Sequence, residues 1–188
     1  MSDFEAMAAA AEGDKSAFDV IVKRHQSGLI NYFLRYSGNL DTAAELAQEV
    51  FLKIYKARDR YKPEAKFTTY LFRVAHNLAI NELIAKKRPD TRSLDNEDGV
   101  DPPDYEGIDP ETETMAAETS QTIREALLRL NPAERSVIIL KYTQGISYAE
   151  ISKTTGRSVA GVESLLIRAK AKLKAELKKR GITGEMFA

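Results

Sequence analysis

Between Pro89 and Glu118 the chain carries 11 acidic residues against one basic residue, together with four of its six prolines and two glycines. Such a segment buries too little apolar surface to offset the entropy of ordering it, and Leu94, Val100, Tyr105, Ile108 and Met115 keep neither a helical nor a strand period. It reads as an acidic flexible linker, 89–118, that divides the 188 residues into two pieces, 1–88 and 119–188. Composition leaves open whether this linker is a plain spacer or makes contacts of its own. A flexible chain of this length spans roughly 30 Å, and prolines and like charges lengthen it, so the two pieces are expected to be able to sit well apart.

The charge balance of 28 basic against 28 acidic residues argues against a nucleic-acid partner only when taken whole. Residues 1–88 hold 14 basic and 11 acidic side chains, and residues 119–188 hold 13 and 6, so neutrality conceals two basic lobes. With 43% hydrophobic residues the chain can build a core, yet its apolar runs are short and flanked by charge, which predicts no membrane insertion. The segment Met1 to Gly13 carries Asp3, Glu5 and Glu12 where a signal peptide would place basic residues, so the expected location is the cytoplasm. There is no cysteine, which removes disulfides, thiol catalysis and thiolate zinc sites, and His25 and His76 stand too far apart to suggest a metal cluster. No nucleophile, acid–base pair or phosphate-cradling loop is evident, so neither catalysis nor a cofactor nor a metal is expected.

The first lobe is helical by period. Ala17, Phe18, Ile21 and Val22, then Leu29, Tyr32, Phe33 and Tyr36, recur at three and four residues, with Gly28 and Gly38 as punctuation. Asp41 is placed to cap the next helix, which runs to Arg58. There Leu46, Val50, Phe51, Ile54 and Tyr55 form one stripe, while Glu45, Gln48, Glu49, Leu52 and Lys53 lie on the other side. Leu52 among polar neighbours is either an ordinary exposed leucine or the apolar centre of a docking patch. From Phe67 to Arg88 a longer helix carries Leu71, Val74, Ala75 and Leu78 as its core stripe. Tyr70, Arg73, Asn77 and Asn81 share another face, with Lys86, Lys87 and Arg88 near its end and Tyr61 and Phe67 flanking from the loop. Rings interleaved with cations suit unpaired nucleic acid, because bases stack on rings while cations neutralise phosphates; a core aromatic cluster beside a solvated charged face has the same pattern.

In the second lobe, Thr122 to Leu130 reads as a short amphipathic helix. Asn131-Pro132-Ala133-Glu134 and Ser147-Tyr148-Ala149-Glu150 are capping boxes that open the next two helices, Gly145 is placed for a helix stop, and Ser158 caps the last helix. Small Ser152, Gly156 in the turn and Val162 as the anchor of the following helix have the spacing of a helix-turn-helix. Ser158, Ala160, Gly161, Glu163 and Ser164 occupy the first turns of that last helix, and Arg168, Lys170 and Lys172 begin a run of cations behind them. A helix entering the major groove needs both, a free N-terminal face for base edges and cations for phosphates. The expected fold is therefore all-α, with two small helical domains, the second of them a DNA-binding helix-turn-helix.

This arrangement resembles the extracytoplasmic-function sigma factors of bacterial RNA polymerase over nearly the whole chain. Gly13-Asp14 with Ala17-Phe18 is similar to the family's opening helix, and DTAAELAQEVFLKIYKA (Asp41 to Ala57) to its core-polymerase-binding helix. FTTYLFRVAHNLAIN (Phe67 to Asn81) resembles the promoter-melting helix, and GISYAEISKTTGRSVAGVESLLIRAKAKL (Gly145 to Leu173) the reader of the upstream element. The chain departs from the family's pattern at Tyr70, where tryptophan is usual, and at Glu163 and Leu165, where basic residues are common. The resemblance implies an alternative sigma factor with core RNA polymerase, promoter DNA and an anti-sigma factor as partners. It places Asp41, Glu45, Gln48, Glu49, Leu52 and Lys53 against the clamp helices of the polymerase β′ subunit, with the β subunit as a further contact. It also gives Tyr61 the loop position that stacks on a base flipped from melted DNA, and Asn77 the position that reads that base. Phe67, Tyr70, Arg73, Lys86, Lys87 and Arg88 complete the melted-strand surface. The rival reading is a free-standing helix-turn-helix regulator, which would need a sensing pocket or a dimerisation surface in its first lobe.

Overall fold

A computed structural model describes residues 1–86 and 120–182, with the side chains of 82–86 outside that description. The acidic stretch 89–118 therefore lies outside the described residues. Every described element of regular structure is a helix. The chain opens with α1 (Asp3–Ala11), where Ser2 and Glu5 form a capping box. α2 (Lys15–Ser37) follows, capped by the Asp14 carboxylate, which accepts from the Ser16 and Ala17 amides. It stops at Gly38, whose φ of 79° is a left-handed C-cap that favours glycine. Gly28, expected to punctuate, lies inside this unbroken helix. A mid-helix glycine costs only ~1 kcal/mol relative to alanine, and burial of Ile21, Leu29, Tyr32, Phe33 and Tyr36 on either side of it outweighs that.

α3 (Leu40–Lys56) is capped by Asn39, whose side chain accepts from the Thr42 amide at 2.9 Å. Asp41 is thus not the cap. It sits in the first turn, where its charge complements the positive end of the helix dipole. A single 3₁₀ turn (Arg58–Arg60) leads to Tyr61 and then to α4 (Phe67–Lys86). In the second lobe α5 is described over 120–128. α6 (Pro132–Tyr142) and α7 (Tyr148–Thr155) open with the two capping boxes expected of Asn131 with Glu134 and Ser147 with Glu150. α8 (Val159–Lys179) starts at Ser158, whose hydroxyl accepts from the Gly161 amide.

α2 packs against α1, α3 and α4, and α6 packs against α7 and α8. The lobes do not sit apart. α2 and α4 both pack on α6, α4 also packs on α7, and one apolar core runs from Ala6 in α1 to Leu177 in α8. α6 explains why: Glu134 through Leu140 are all buried, so this helix has no solvent stripe. A helix buried all round needs neighbours on every side, and the second lobe alone does not supply them.

Candidate nucleic-acid interface

The loop before α4 is held from three directions. The Arg58 guanidinium donates to the Ala10 carbonyl (3.0 Å) at the end of α1 and to the Tyr55 carbonyl (2.8 Å), and it lies 4.2 Å over the Tyr55 ring. That anchorage presents Tyr61 to α4, where its ring centroid stands 5.2 Å from Tyr70 and 6.1 Å from Phe67. Phe67 is itself 4% exposed and forms the floor of the trio, while Tyr61 and Tyr70 are half-buried above it. Burial raises the pKa of both tyrosine hydroxyls, so both rings stay neutral over the physiological range. One, two and three turns further along α4, Arg73, Asn77 and Asn81 are exposed on the same stripe as Tyr70. Opposite them, Leu71, Ala75 and Leu78 are buried as expected, with Val74 half-buried. Lys87 and Arg88 lie outside the described residues, and Lys86 is described only as the last residue of the helix backbone.

α3 separates its faces cleanly. Leu46, Val50, Phe51 and Ile54 are buried, whereas Asp41, Glu45, Gln48 and Lys53 are exposed and Glu49 is half-buried. Leu52 stands 51% exposed in the middle of this polar face, beside a Lys53–Glu49 ion pair of 3.0 Å one helical turn long.

The helix-turn-helix is closed by more than small size at Ser152. Its hydroxyl donates to the Arg157 carbonyl at 2.6 Å, bridging the turn, while Gly156 takes φ 69° and Val162 is fully buried. Ser158, Ala160, Glu163, Ser164 and Arg168 are exposed at the start and on the outer face of α8, with Gly161 half-buried. Leu165, at a position where the family often has a cation, is 5% exposed and belongs to the core, out of reach of a base edge. Lys172 is engaged within the lobe, its ammonium 2.6 Å from the buried Glu134 carboxylate, and Lys170 is half-buried with its ammonium 5.5 Å from the Tyr142 ring.

Two positions escaped the sequence reading. Ile167 is 64% exposed on the same outward stripe as Glu163 and Ser164, and Val159 is 47% exposed beside the cap. An apolar side chain on a groove-entering helix can meet a thymine methyl. Counting three and four residues on from Glu163 and Ser164 finds Ile167; attention to polar and small residues alone passes over it.

The family model for Sigma-70 region 2 matches residues 21–88, and that for Sigma-70, region 4 matches residues 120–173. The first span contains the α3 face and the α4 stripe, and the second contains the helix-turn-helix. The ECF RNA polymerase sigma factor SigW of Bacillus subtilis is 33% identical over 174 residues, covering 89% of this chain and 92% of that protein. The RNA polymerase sigma-H factor of Pseudomonas aeruginosa is 30% identical over 166 residues, covering 84% of each. Among solved structures, CnrH in complex with the cytosolic domain of CnrY superposes with a TM-score of 0.71 at 26% identity, covering 95% of this chain and 99% of CnrH. The fold recurs in the sigma factor RpoE of Bartonella quintana, crystallised with the anti-sigma factor NepR, with a TM-score of 0.65 at 21% identity, covering 86% of this chain and 96% of that one. Among the described residues no helix is long and apolar enough to cross a membrane.

Proposed function

The chain belongs to the extracytoplasmic-function sigma factors and directs RNA polymerase to initiate transcription at promoters, and from that premise we propose how its surfaces divide the work. The observation that carries the proposal is the ring trio of Tyr61, Phe67 and Tyr70 standing in line with exposed Arg73 and Asn77. Tyr61 and Tyr70 offer a stacking surface over the Phe67 floor. Asn77, one to two turns further on, offers a donor and an acceptor to the Watson–Crick edge of an extruded base. Arg73, with Lys86, Lys87 and Arg88, neutralises phosphates of the melted strand.

The α3 face docks on the core enzyme. Leu52 supplies the apolar centre, and Asp41, Glu45, Gln48, Glu49 and Lys53 supply a polar rim against the clamp helices of the β′ subunit, an arrangement in keeping with protein interfaces generally. In the second lobe α8 enters the major groove of the upstream element. Ser158, Ala160, Gly161, Glu163 and Ser164 approach base edges, and Arg168, Lys170 and Lys172 lie along the phosphates, Lys172 after exchanging Glu134 for a phosphate. Glu163 is an acceptor for a cytosine amine. Residues 1–88 and 119–188 then act as two units joined by the acidic segment 89–118. Bond-making belongs to the polymerase; this chain contributes binding energy and acts in the cytoplasm, beside the DNA. By analogy with CnrH and RpoE, solved with CnrY and NepR respectively, an anti-sigma protein is its regulator.

The test is reconstitution: mix the chain with core RNA polymerase, follow co-elution, and score transcripts from a promoter library. Specific initiation supports the proposal. A folded chain that neither co-elutes with core polymerase nor yields promoter-specific transcripts overturns it.

A further inference from the structure

Resting on the base-capture reading above, we infer that α1 is a brace for the loop that carries Tyr61. Asp3, through His25, and the Ala10 carbonyl, through Arg58, fix the two ends of that loop, which makes Asp3 and His25 positioning residues for the choice of the captured base.

Residues 61–66 form no regular structure, so the placement of Tyr61 opposite Tyr70 depends on what holds the segment at either end. α1 reaches both ends. At its C-terminal end the Ala10 carbonyl accepts from Arg58 Nε, in the 3₁₀ turn that delivers the chain to Tyr61. At its N-terminal end, a further ~10 Å along the helix, the Asp3 carboxylate accepts from Arg24 through one oxygen and from His25 Nε2 at 3.0 Å through the other. A carboxylate only accepts, so the His25 ring donates through Nε2, and that bond sets its rotation. The ring then stands 5.1 Å from Phe67, centroid to centroid, at the first residue of α4. Beyond burial, the Asp3 charge raises the Tyr61 hydroxyl pKa, which puts Asp3 in Coulombic reach of that side chain as well.

α1 is built for close approach. Ala6, Met7 and Ala10 are its buried residues, and it packs on α2 and on the 3₁₀ turn. Small side chains bring its backbone near enough for the Ala10 carbonyl to meet Arg58. α1 also lies outside residues 21–88, the span matched by the region 2 family model, so the brace is an addition to that span. Its use follows from the precision that base choice demands. Stacking rings and a reading carboxamide favour one base only while their separation is held to about 0.5 Å, and a loop without regular structure does not hold that by itself.

The experiment compares Asp3→Ala, Asp3→Asn and His25→Ala with the parent and with Tyr61→Ala, as full chains with core polymerase on a promoter drawn from the library. Each of the four bases is placed in turn at the captured position, located with a fluorescent base, and the opening rate is measured. The ratio of rates between the preferred base and the others should fall about tenfold in Asp3→Ala and His25→Ala, as in Tyr61→Ala, with core affinity within about twofold of the parent. Asp3→Asn keeps an acceptor for His25 and should recover part of the ratio. A general loss of fold lowers the rate for every base alike and leaves the ratio where it was. A parental ratio in both alanine variants, with the ratio lost in Tyr61→Ala, therefore overturns the brace alone. In the free chain, the amides of Tyr61, Thr69 and Tyr70 donate to the Arg58 and Lys66 carbonyls, and their hydrogen exchange should quicken about tenfold in Asp3→Ala and His25→Ala. Unchanged exchange overturns the brace too. If Tyr61→Ala itself keeps the parental ratio, the base-capture reading falls and the positioning role falls with it.

Discussion

Arg135 on α6 donates through Nη1 to the carbonyl of Tyr36, 2.6 Å away at the end of α2. The same guanidinium donates to Leu127 (2.9 Å), Leu128 (2.8 Å) and Leu130 (3.1 Å), so one cation closes the C-terminal ends of two helices. At 7% exposure, its charge is balanced by four backbone carbonyls. Arg135→Met removes the charge but orphans those carbonyls, and should cost about 3–5 kcal/mol of stability in urea unfolding. Arg135→Lys should recover only part of the loss, because a point ammonium cannot match a planar fork.

Tyr32 and Tyr36 lie one helical turn apart, with ring centroids 5.9 Å from each other and planes 16° apart, but their hydroxyls fare differently. Tyr32 bonds to Ser136, whereas the Tyr36 hydroxyl is buried with no hydrogen-bond partner among the described residues, and burial pushes its pKa up to about 12. Tyr32→Phe should destabilise by about 1–3 kcal/mol, since the buried Ser136 hydroxyl loses one of its two partners and keeps only His76. Tyr36→Phe keeps the ring and discards an unpaired group, so it should be neutral or stabilising by up to ~1 kcal/mol. Thermal unfolding reads the contrast as shifts of opposite sign, about 2–4 °C per kcal/mol for a chain of this size.

Local chemistry was legible in the sequence, and long-range chemistry was not. The boxes at Asn131–Glu134 and Ser147–Glu150 and the cap at Ser158 depend on residues three apart, and each stands where the sequence places it. Asn39 was missed because two capping residues stand two positions apart and only the chain's path selects between them. The stripes on α3 and α4 follow from helical period, which is why the exposed Leu52 and Asn77 could be named. The contact between the lobes has no local pattern. Ser136 meets Tyr32 and His76 across 104 and 60 residues of sequence, and a serine in an apolar helix looks unremarkable until both partners are known. The one sequence signal of lobe closure was the run Val137-Ile138-Ile139-Leu140, too continuous for a helix with one solvent face.

His76 gives stability a pH dependence. Burial first, and then the nearby positive charge of Arg157, lower its pKa from 6.5 to about 4. The unfolded chain therefore binds this proton between those two values and the folded chain does not, so stability falls as pH drops. His76 should contribute fully above pH ~6.5 and lose ~3 kcal/mol on descent to pH ~4, with no further change from this group below that. Glu150, held at about 2 by hydrogen bonds from Ser147 and Lys66 and by the Lys66 charge, adds its own loss as pH falls from 4.5. His76→Gln should flatten the upper limb of the stability profile between pH 6.5 and 4.5 and leave the lower limb in place. A profile unchanged by the substitution would assign the whole dependence to carboxylates.

Core docking and base capture sit on different helices, so they should fail separately. Leu52 is on α3 and Asn77 on α4, both exposed, and neither side chain supports the fold. Leu52→Asp places a charge at the centre of the docking face and should cost about 2–4 kcal/mol of core binding, roughly 30-fold or more in affinity, with the melting curve unchanged. Asn77→Ala should leave core affinity within about twofold. It should lower the rate of promoter opening by about tenfold or more, read with a fluorescent base in the melted strand, because a carboxamide that reads an extruded base acts only after the duplex parts. The double variant should show both losses, additive in free energy, since the residues lie on separate surfaces with no shared partner. Loss of core affinity in Asn77→Ala would make Asn77 part of the docking surface and leave base capture to the tyrosines alone.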